Sequence, residues 1–376
     1  MKKLLIATDN FLPRWDGIAR FLLEVVPKLS NYYDISILAP NYKGFNLINT
    51  NLGNAAIHKF DTFNFEVGDF PPAIPPGKKI EPYIKNADIV WVQTIGPIGR
   101  AAIKYAKKLD KPLISFNHSI EWELVPNALT ESFLVRKALR FFVKQITKRA
   151  YNKCNLLIVP SQDTANKLRS AGIKRPMKQV NLGIDLTKFK PADRIAAKKI
   201  IGVNTDSIVI SYIGRLGREK DLVTLYRAFV QLSHKHKNAI LLIVGEGIES
   251  YKKMFKRERM LFIGPRSDVE KFFQATDIYV LPSMTETTSL TTMEAMACGC
   301  AVLTTRTGAI PTYVVNKYNG MFFPKRNSYV LRRKLELLIE NNELRDKLGE
   351  NARKTIEAQQ SWDKTVEGIK EILDKF

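Results

Sequence analysis

Two acids, Glu286 and Glu294, frame the stretch Pro282-Ser-Met-Thr-Glu-Thr-Thr-Ser-Leu-Thr-Thr-Met-Glu-Ala-Met-Ala-Cys-Gly-Cys-Ala-Val302. Apolar runs at 277–281 and 301–304 flank it, so it reads as a loop and a short helix between two buried strands. Thr291 and Glu294 have capping-box spacing, which makes Thr291 the N-cap and Glu294 the third helical residue. Gly299 is placed for a left-handed stop. Such a helix opens its unpaired N–H groups and partial positive charge at the C-terminal edge of a parallel sheet, where α/β proteins hold anions. A phosphate-attracting floor beside two carboxylates suits a phosphorylated sugar, with the acids accepting hydrogen bonds from hydroxyls. The competing reading leaves Glu294 as a cap and Glu286 as a solvated loop residue.

The second half supplies cations for the same chemistry. Gly214-Arg-Leu-Gly-Arg-Glu-Lys-Asp221 follows a strand at 208–213 and opens a helix to about residue 233. Arg215 and Lys220 therefore sit near a helix N-terminus, where the dipole disfavours cations unless an anion lies between them. The alternative is two exposed cations paired with Glu219 and Asp221. The Gly245-Glu-Gly247 turn is a weak signal. In the first half, Gly17 separates a turn-rich loop at 9–17 from a helix at 18–29, where backbone can approach a ligand. His118 lies at the C-terminal end of a strand at 111–117.

These residues need a scaffold of strands alternating with helices, which implies parallel sheets. Strands are expected at 3–8, 34–39, 88–93, 111–117, 155–160 and 178–182, then at 208–213, 240–244, 261–264, 277–281, 301–304 and 320–324. Residues 96–99 read as a turn before a helix at 100–109, and a proline-rich surface loop spans 62–79. Helices are expected at 328–341, 343–355 and 361–376, and residues 183–191 form the candidate linker. Two parallel-sheet domains with a cleft between their strand ends follow.

The chain has 376 residues, 45% of them hydrophobic, enough for two or three packed domains. Cys154, Cys298 and Cys300 make no disulfide framework, so a reducing compartment is expected, and Cys298-Gly-Cys300 has no partners at zinc spacing. The apolar start stops at Thr8-Asp9, too short for a signal peptide, and no run is long enough to span a bilayer. Net charge is +22, with +14 over residues 1–190 and +8 over 191–376, a field that favours an anionic partner. Nucleic acid is the weakest candidate for it, because no recognition motif or interleaved aromatic groove accompanies the charge. Residues 132–153 read as one helix with seven basic residues and no acid. Arg136, Lys137, Arg140, Lys144 and Lys148 share about a third of its wheel, while Phe141, Phe142 and Ile146 lie off it. That pattern suits a helix lying on anionic lipid. The alternative is a solvated basic face over a core-packed back.

The motifs resemble the retaining GT-B glycosyltransferases of family four. The resemblance rests on Glu286-x7-Glu294 with Ala-Met-Ala-x-Gly-x-Ala-Val, Gly214-Arg-Leu-x-x-Glu-Lys220, Asn181-Leu-Gly-Ile-Asp185 with Phe189-x-Pro191, and Phe11-x-Pro13 with Gly17. It covers nearly the whole chain in the expected order. Thr285-Glu-Thr-x-x-Leu-Thr-x-x-Glu-Ala295 and Phe11-Leu-Pro-Arg-x-Asp-Gly17 are similar to glycolipid-making members such as diacylglycerol glucosyltransferases.

The resemblance implies a GT-B fold of two Rossmann-like domains facing across a cleft. Residues 1–185 would bind the acceptor and 186–360 the nucleotide sugar, with a helix at 361–376 returning toward the first domain. Arg215 and Lys220 would bind the donor diphosphate, Glu286 the transferred sugar's hydroxyls and Glu294 the ribose. Amides around Ser289, Leu290 and Thr291 would add to the phosphate site, with the backbone of Gly17, and His118 would line the sugar and acceptor side. A nucleotide-sugar donor such as UDP-glucose or GDP-mannose is then the substrate, and no cofactor or metal is expected, since no Asp-x-Asp pair is present. The implied reaction moves a hexose, with retention, to a lipid or lipid-linked acceptor. The enzyme would be cytoplasmic and peripheral on the inner membrane face through the basic helix. The alternative is a soluble enzyme acting on a sugar, polysaccharide or small molecule. The sequence departs from the family pattern where the usual Gly-Phe-Gly is Thr287-Thr-Ser289, where the usual Pro is Thr291, and in Gly308-Ala-Ile-Pro-Thr312, which lacks the family's acid.

Overall fold

The computed structural model describes residues 1–14, 16–42, 51–66, 71–130, 132–358 and 361–376. Position 15 of the 9–17 loop and positions 67–70 of the proline-rich segment lie outside the described residues. The chain divides into two compact units, Met1–Gly183 with Trp362–Phe376, and Ile184–Ser361.

In the first unit, seven strands form one parallel sheet: β1 (Lys2–Ala7), β2 (Tyr33–Asn41), β3 (Ala56–Asp61), β4 (Ile89–Val92), β5 (Leu113–Phe116), β6 (Leu156–Val159) and β7 (Met177–Gln179). Their spatial order is β3-β2-β1-β4-β5-β6-β7. Strands β4 and β5 are buried along their whole length, because helices cover both sheet faces. The direction of winding reverses between β1 and β4, which opens a crevice beyond their C-terminal ends. Trp362–Leu373 belongs to this unit, where Thr365 Oγ1 donates to the Asn181 carbonyl at 2.8 Å and Lys28 pairs with Asp363 at 2.6 Å.

The second unit repeats the plan with no matching sequence repeat. Its strands are β8 (Ile208–Ile213), β9 (Ala239–Val244), β10 (Met260–Gly264), β11 (Ile278–Leu281), β12 (Ala301–Thr304) and β13 (Met321–Phe322). They pair in the parallel order β10-β9-β8-β11-β12-β13, so the reversal falls between β8 and β11. The doubly wound α/β architecture expected from the alternation is therefore present twice.

Two local expectations change. Residues 96–99 are not a turn before a helix; the helix itself runs Pro97–Lys108, with Gly96 as N-cap. Proline is tolerated in the first turn because its missing N–H has no intrahelical partner there anyway. The basic helix spans Phe133–Tyr151 and packs through Val143, Ala150 and Tyr151, but the aromatic residues and Ile146 that the alternative reading would bury lie outside the core. Phe133 is 74%, Leu134 76%, Phe141 61% and Phe142 62% exposed, with Ile146 also exposed. Only Thr147, Ala150 and Tyr151 of this helix are buried. No helix among the described residues is long and apolar enough to cross a membrane.

Candidate active site

In the second unit, the β8 loop carries both cations and is seated by glycines. Gly214 has φ 151° and Gly245 has φ 137°, and a Cβ on Gly245 would lie 2.0 Å from the Gly214 carbonyl oxygen. One on Gly247 would lie 2.5 Å from the Leu216 carbonyl oxygen. With no side chains between them the two loops zip together: the Leu216 amide donates to the Glu246 carbonyl at 2.7 Å and the Ile248 amide to the Leu216 carbonyl at 3.0 Å. The Gly245-Glu-Gly247 turn, a weak signal in the sequence, is thus what holds the Arg215 loop.

Arg215 Nη2 contacts Oε1 of the buried Glu219, over Gly217, where a Cβ would fall 2.4 Å from the carboxylate and 2.7 Å from Arg215 Nη1. Tyr212 donates its hydroxyl to the Arg215 carbonyl at 2.5 Å. Burial, with the nearby Glu219 and Glu286 carboxylates, raises the Tyr212 phenol and keeps it a donor. Lys220 lies in a 3₁₀ turn, Arg218–Lys220, and donates to Glu286 Oε1 at 2.5 Å. Asp221 is not its partner: at φ 49° it caps the Leu222–Lys235 helix, and Oδ2 accepts from Thr224 Oγ1 at 2.7 Å. Glu286 also accepts from Ser283 Oγ at 2.6 Å, and the Met284 amide donates to the Glu219 carbonyl at 2.7 Å. The Arg215, Lys220 and Glu286 loops are therefore one hydrogen-bonded body. Neither cation is fully exposed, and Glu286 is not a solvated bystander.

The helix after Glu286 runs Leu290–Ala297, and Thr291 is not its N-cap. Ser289 takes that role at φ 62°, its Oγ accepting from the Thr292 amide at 3.4 Å and bonded to Thr292 Oγ1 at 2.8 Å. Thr291 and Glu294 thus fall inside the helix and form no capping box. Thr291 Oγ1 instead accepts from Tyr279 at 2.9 Å, and Glu294 is buried one turn further along. The cap moves because the loop is fixed from outside. Tyr313 donates to the Thr288 carbonyl, and Gly308 at φ 52° presses on the loop, where a Cβ would lie 2.3 Å from the Glu286 carbonyl oxygen. The other end follows expectation: Gly299 has φ 73°, its amide donates to Met296 and that of Cys300 to Ala295, a Schellman motif.

In the first unit, His118 and the Gly17 helix share the C-terminal edge of the sheet. His118 stacks on Phe116, with centroids 4.5 Å apart, and meets the edge of Phe21 from the Gly17–Leu29 helix at 4.8 Å. Its Nε2 lies 2.7 Å from the Gln93 side-chain amide, a hydrogen bond whose direction follows the imidazole tautomer. Burial lowers the imidazole to about 3 and keeps it neutral. Asp16 caps the helix by accepting from the Ile18 and Ala19 amides at 2.9 Å. Neither packing nor φ demands glycine at 17, since a Cβ there would meet nothing within 4 Å.

Sequence reasoning missed Asp9 in this crevice. Its carboxylate accepts from Thr94 Oγ1 and the Ile98 amide at 2.7 Å and from the Gly99 amide at 3.1 Å, which fills the end of the Pro97–Lys108 helix. Burial raises its carboxyl against those bonds. An Asp immediately after a strand, at a Rossmann reversal point, was the available signal. Among the described residues no cluster of three or more His, Cys, Asp or Glu is arranged to hold a metal ion.

Two doubly wound parallel-sheet units, each with loops at its strand ends, place the chain in an α/β class that hosts many chemistries, and comparison with known proteins narrows it. Residues 15–188 match the family described as Glycosyltransferase Family 4 and residues 193–355 the family described as Glycosyl transferases group 1. The chain is a glycosyltransferase of the GT-B fold. It is 26% identical to the uncharacterized glycosyltransferase MJ1069 of Methanocaldococcus jannaschii, over 100% of this chain and 98% of that one. To the alpha-monoglucosyldiacylglycerol synthase of Acholeplasma laidlawii it is 25% identical, over 70% of each chain. The crystal structure of Anabaena HepE in complex with UDP and glucose shares the fold with TM-score 0.80 at 18% identity, covering 100% of both chains.

Proposed function

We propose that the protein moves a hexose from a nucleoside-diphosphate sugar to a lipid or lipid-linked acceptor at the membrane surface, with retention of configuration and without a metal. The observation that carries the acceptor half is the outward face of the Phe133–Tyr151 helix. Leu134, Phe141, Phe142 and Ile146 project into solvent beside Lys137, Arg140, Lys144 and Lys148, none of which has an ion pair among the described residues. An apolar stripe flanked by cations is what an interfacial helix presents to anionic lipid. The relative named a synthase of a glucosyldiacylglycerol supports the same acceptor class.

For the donor half, the second unit offers a guanidinium, an ammonium and the N-terminus of the Leu290–Ala297 helix. In this reading Arg215 and Lys220 stabilise charge growing on the departing nucleoside diphosphate, with the amides of Ser289, Leu290 and Thr291 contributing. Glu286 exchanges its contact with Lys220 for a sugar hydroxyl, and Glu294 serves the ribose. The first unit takes the acceptor, because Asp9 already fills the helix end at its reversal point. Gly17 leaves room for a phosphate to approach its backbone, and His118 lines the acceptor side as a neutral imidazole. UDP-glucose and GDP-mannose are the donors to try first.

The test combines vesicle flotation with turnover. Vesicles containing anionic lipid are expected to bind the protein at low salt and to raise nucleoside-diphosphate release, and NMR of the product should show the donor's anomeric configuration. Full transfer to water-soluble acceptors without vesicles, and no flotation, would overturn the lipid assignment.

A further inference from the structure

Behind His118, in the first unit, three buried polar side chains meet. The Tyr151 hydroxyl, from the last residue of the amphipathic helix, donates to Glu121 Oε1 at 2.6 Å and accepts from Asn117 Nδ2 at 3.1 Å. Asn117 Nδ2 also donates to the Ser119 carbonyl at 2.9 Å, bracing the backbone on both sides of His118. Glu121 is the first residue of the Glu121–Leu129 helix, and the Asn117 amide donates to the Ile158 carbonyl at 2.8 Å. One hydroxyl thus joins a strand end, the start of one helix and the end of another.

Asn117 is 0% and Tyr151 1% exposed, with Glu121 nearly as buried. Apolar side chains would fill this space without desolvating polar atoms, so the polar network specifies geometry rather than supplying stability. Burial pushes Glu121 up to about 7, which lets a protonated carboxyl share the site without an uncompensated charge. What this network holds most directly is the backbone from Asn117 to Ser119, and with it the Cα from which the imidazole projects toward Gln93.

We propose that Asn117, Glu121 and Tyr151 are positioning residues for His118, through which the last turn of the amphipathic helix sets the imidazole. The proposal rests on the reading of His118 as an acceptor-side residue. The Tyr151 hydroxyl is its hub: without it the Asn117 amide loses one partner and Glu121 Oε1 loses its donor.

The experiment uses the full chain and the ¹⁵N spectrum of its imidazoles. Wild-type His118 is expected to show a single tautomer, fixed by its 2.7 Å hydrogen bond to the Gln93 side chain. In Tyr151→Phe, which keeps the ring, the signal moves toward a mixture of tautomers. The kcat for transfer falls about tenfold, the size of one lost hydrogen bond, while the donor KM stays unchanged. Glu121→Gln keeps an acceptor for the hydroxyl and preserves the wild-type spectrum, whereas Glu121→Ala does not. An unchanged His118 signature in Tyr151→Phe overturns the proposal. Asn117→Ser gives the same readout from the other side of the hydroxyl should Tyr151→Phe fail to fold. His118→Ala separates the two claims: full transfer in that variant removes the role of His118, while the spectra still judge its positioning.

Discussion

Lys220 Nζ donates to Glu286 Oε1 at 2.5 Å across 66 positions of sequence, joining the loops after β8 and β11. The pair sits at the reversal of the second sheet, where an α/β unit holds its ligand. Each partner is half of an ion pair and, in the account above, half of a donor site. Lys220→Met is expected to lower kcat/KM roughly 10- to 100-fold, the range for one charge-assisted hydrogen bond to phosphate. Glu286→Gln should cost a similar factor. Because the residues touch, the double variant should be little worse than the poorer single variant. Independent, multiplying effects in steady-state kinetics would mean that they do not act as a unit.

Gly17 gives a cleaner separation of binding from folding. Its φ is ordinary and a Cβ there meets nothing within 4 Å. Gly17→Ala should therefore unfold within a few degrees of wild type, or higher, since alanine is the better helix former. The donor KM should nevertheless rise about tenfold or more, read by titrating the nucleotide sugar. Wild-type kinetics in this variant would remove Gly17 from the donor site.

Gly245 behaves in the opposite way. A Cβ there would lie 2.0 Å from the Gly214 carbonyl carbon's oxygen, at φ 137°. Gly245→Ala should destabilise the second unit by about 3 kcal/mol or more, from backbone strain and loop separation together. Denaturant unfolding checks this, and a loss below about 1 kcal/mol would show that the loops can part cheaply.

His118 makes one contribution to the pH dependence of stability, opposite in sign to that of Glu121, whose carboxyl burial pushes up to about 7. Its pKa is about 3 in the folded chain against 6.5 as the ordinary value, with burial as the cause. A depressed folded value means that the unfolded chain binds the proton first. His118 thus contributes stability that is present above pH 6.5 and is lost progressively as pH falls toward 3. His118→Gln should flatten this part of the stability profile in urea titrations between pH 7 and 4, whereas an equal slope in both proteins would place the acid sensitivity elsewhere.

Much of this architecture was legible because both sheets are parallel and covered on both faces. Strands such as β4, β9 and β11 then read as short, continuous apolar runs. The edge strand β3 was not legible: Ala-Ile-His-Lys-Phe-Asp leaves most of its side chains partly or fully exposed, and only pairing with β2 makes it a strand. Pro126 likewise hid the Glu121–Leu129 helix. Within the site, the residue types at Arg215, Lys220 and Glu286 were readable, but their pairing was not. Whether Lys220 faces Asp221 or Glu286 depends on the order of β8 and β11 in the sheet. The cap fell on Ser289 rather than Thr291 because Tyr313 and Gly308, some twenty residues on, fix the loop. A run of hydroxyl residues offers several caps, and only the tertiary contact selects one.

The most direct measurement incubates the full chain with labelled nucleotide sugars and vesicles of anionic lipid containing membrane lipid extract. Label in the lipid phase is followed for wild type, Lys220→Met and a Phe141→Ser/Phe142→Ser variant. The account predicts that label enters lipid from at least one donor, only with vesicles present. Lys220→Met should transfer roughly 10- to 100-fold less efficiently but float with the vesicles, and the double serine variant should lose both flotation and lipid labelling while still binding nucleotide sugar. Equal lipid labelling by all three proteins, or transfer that ignores vesicles altogether, would contradict it.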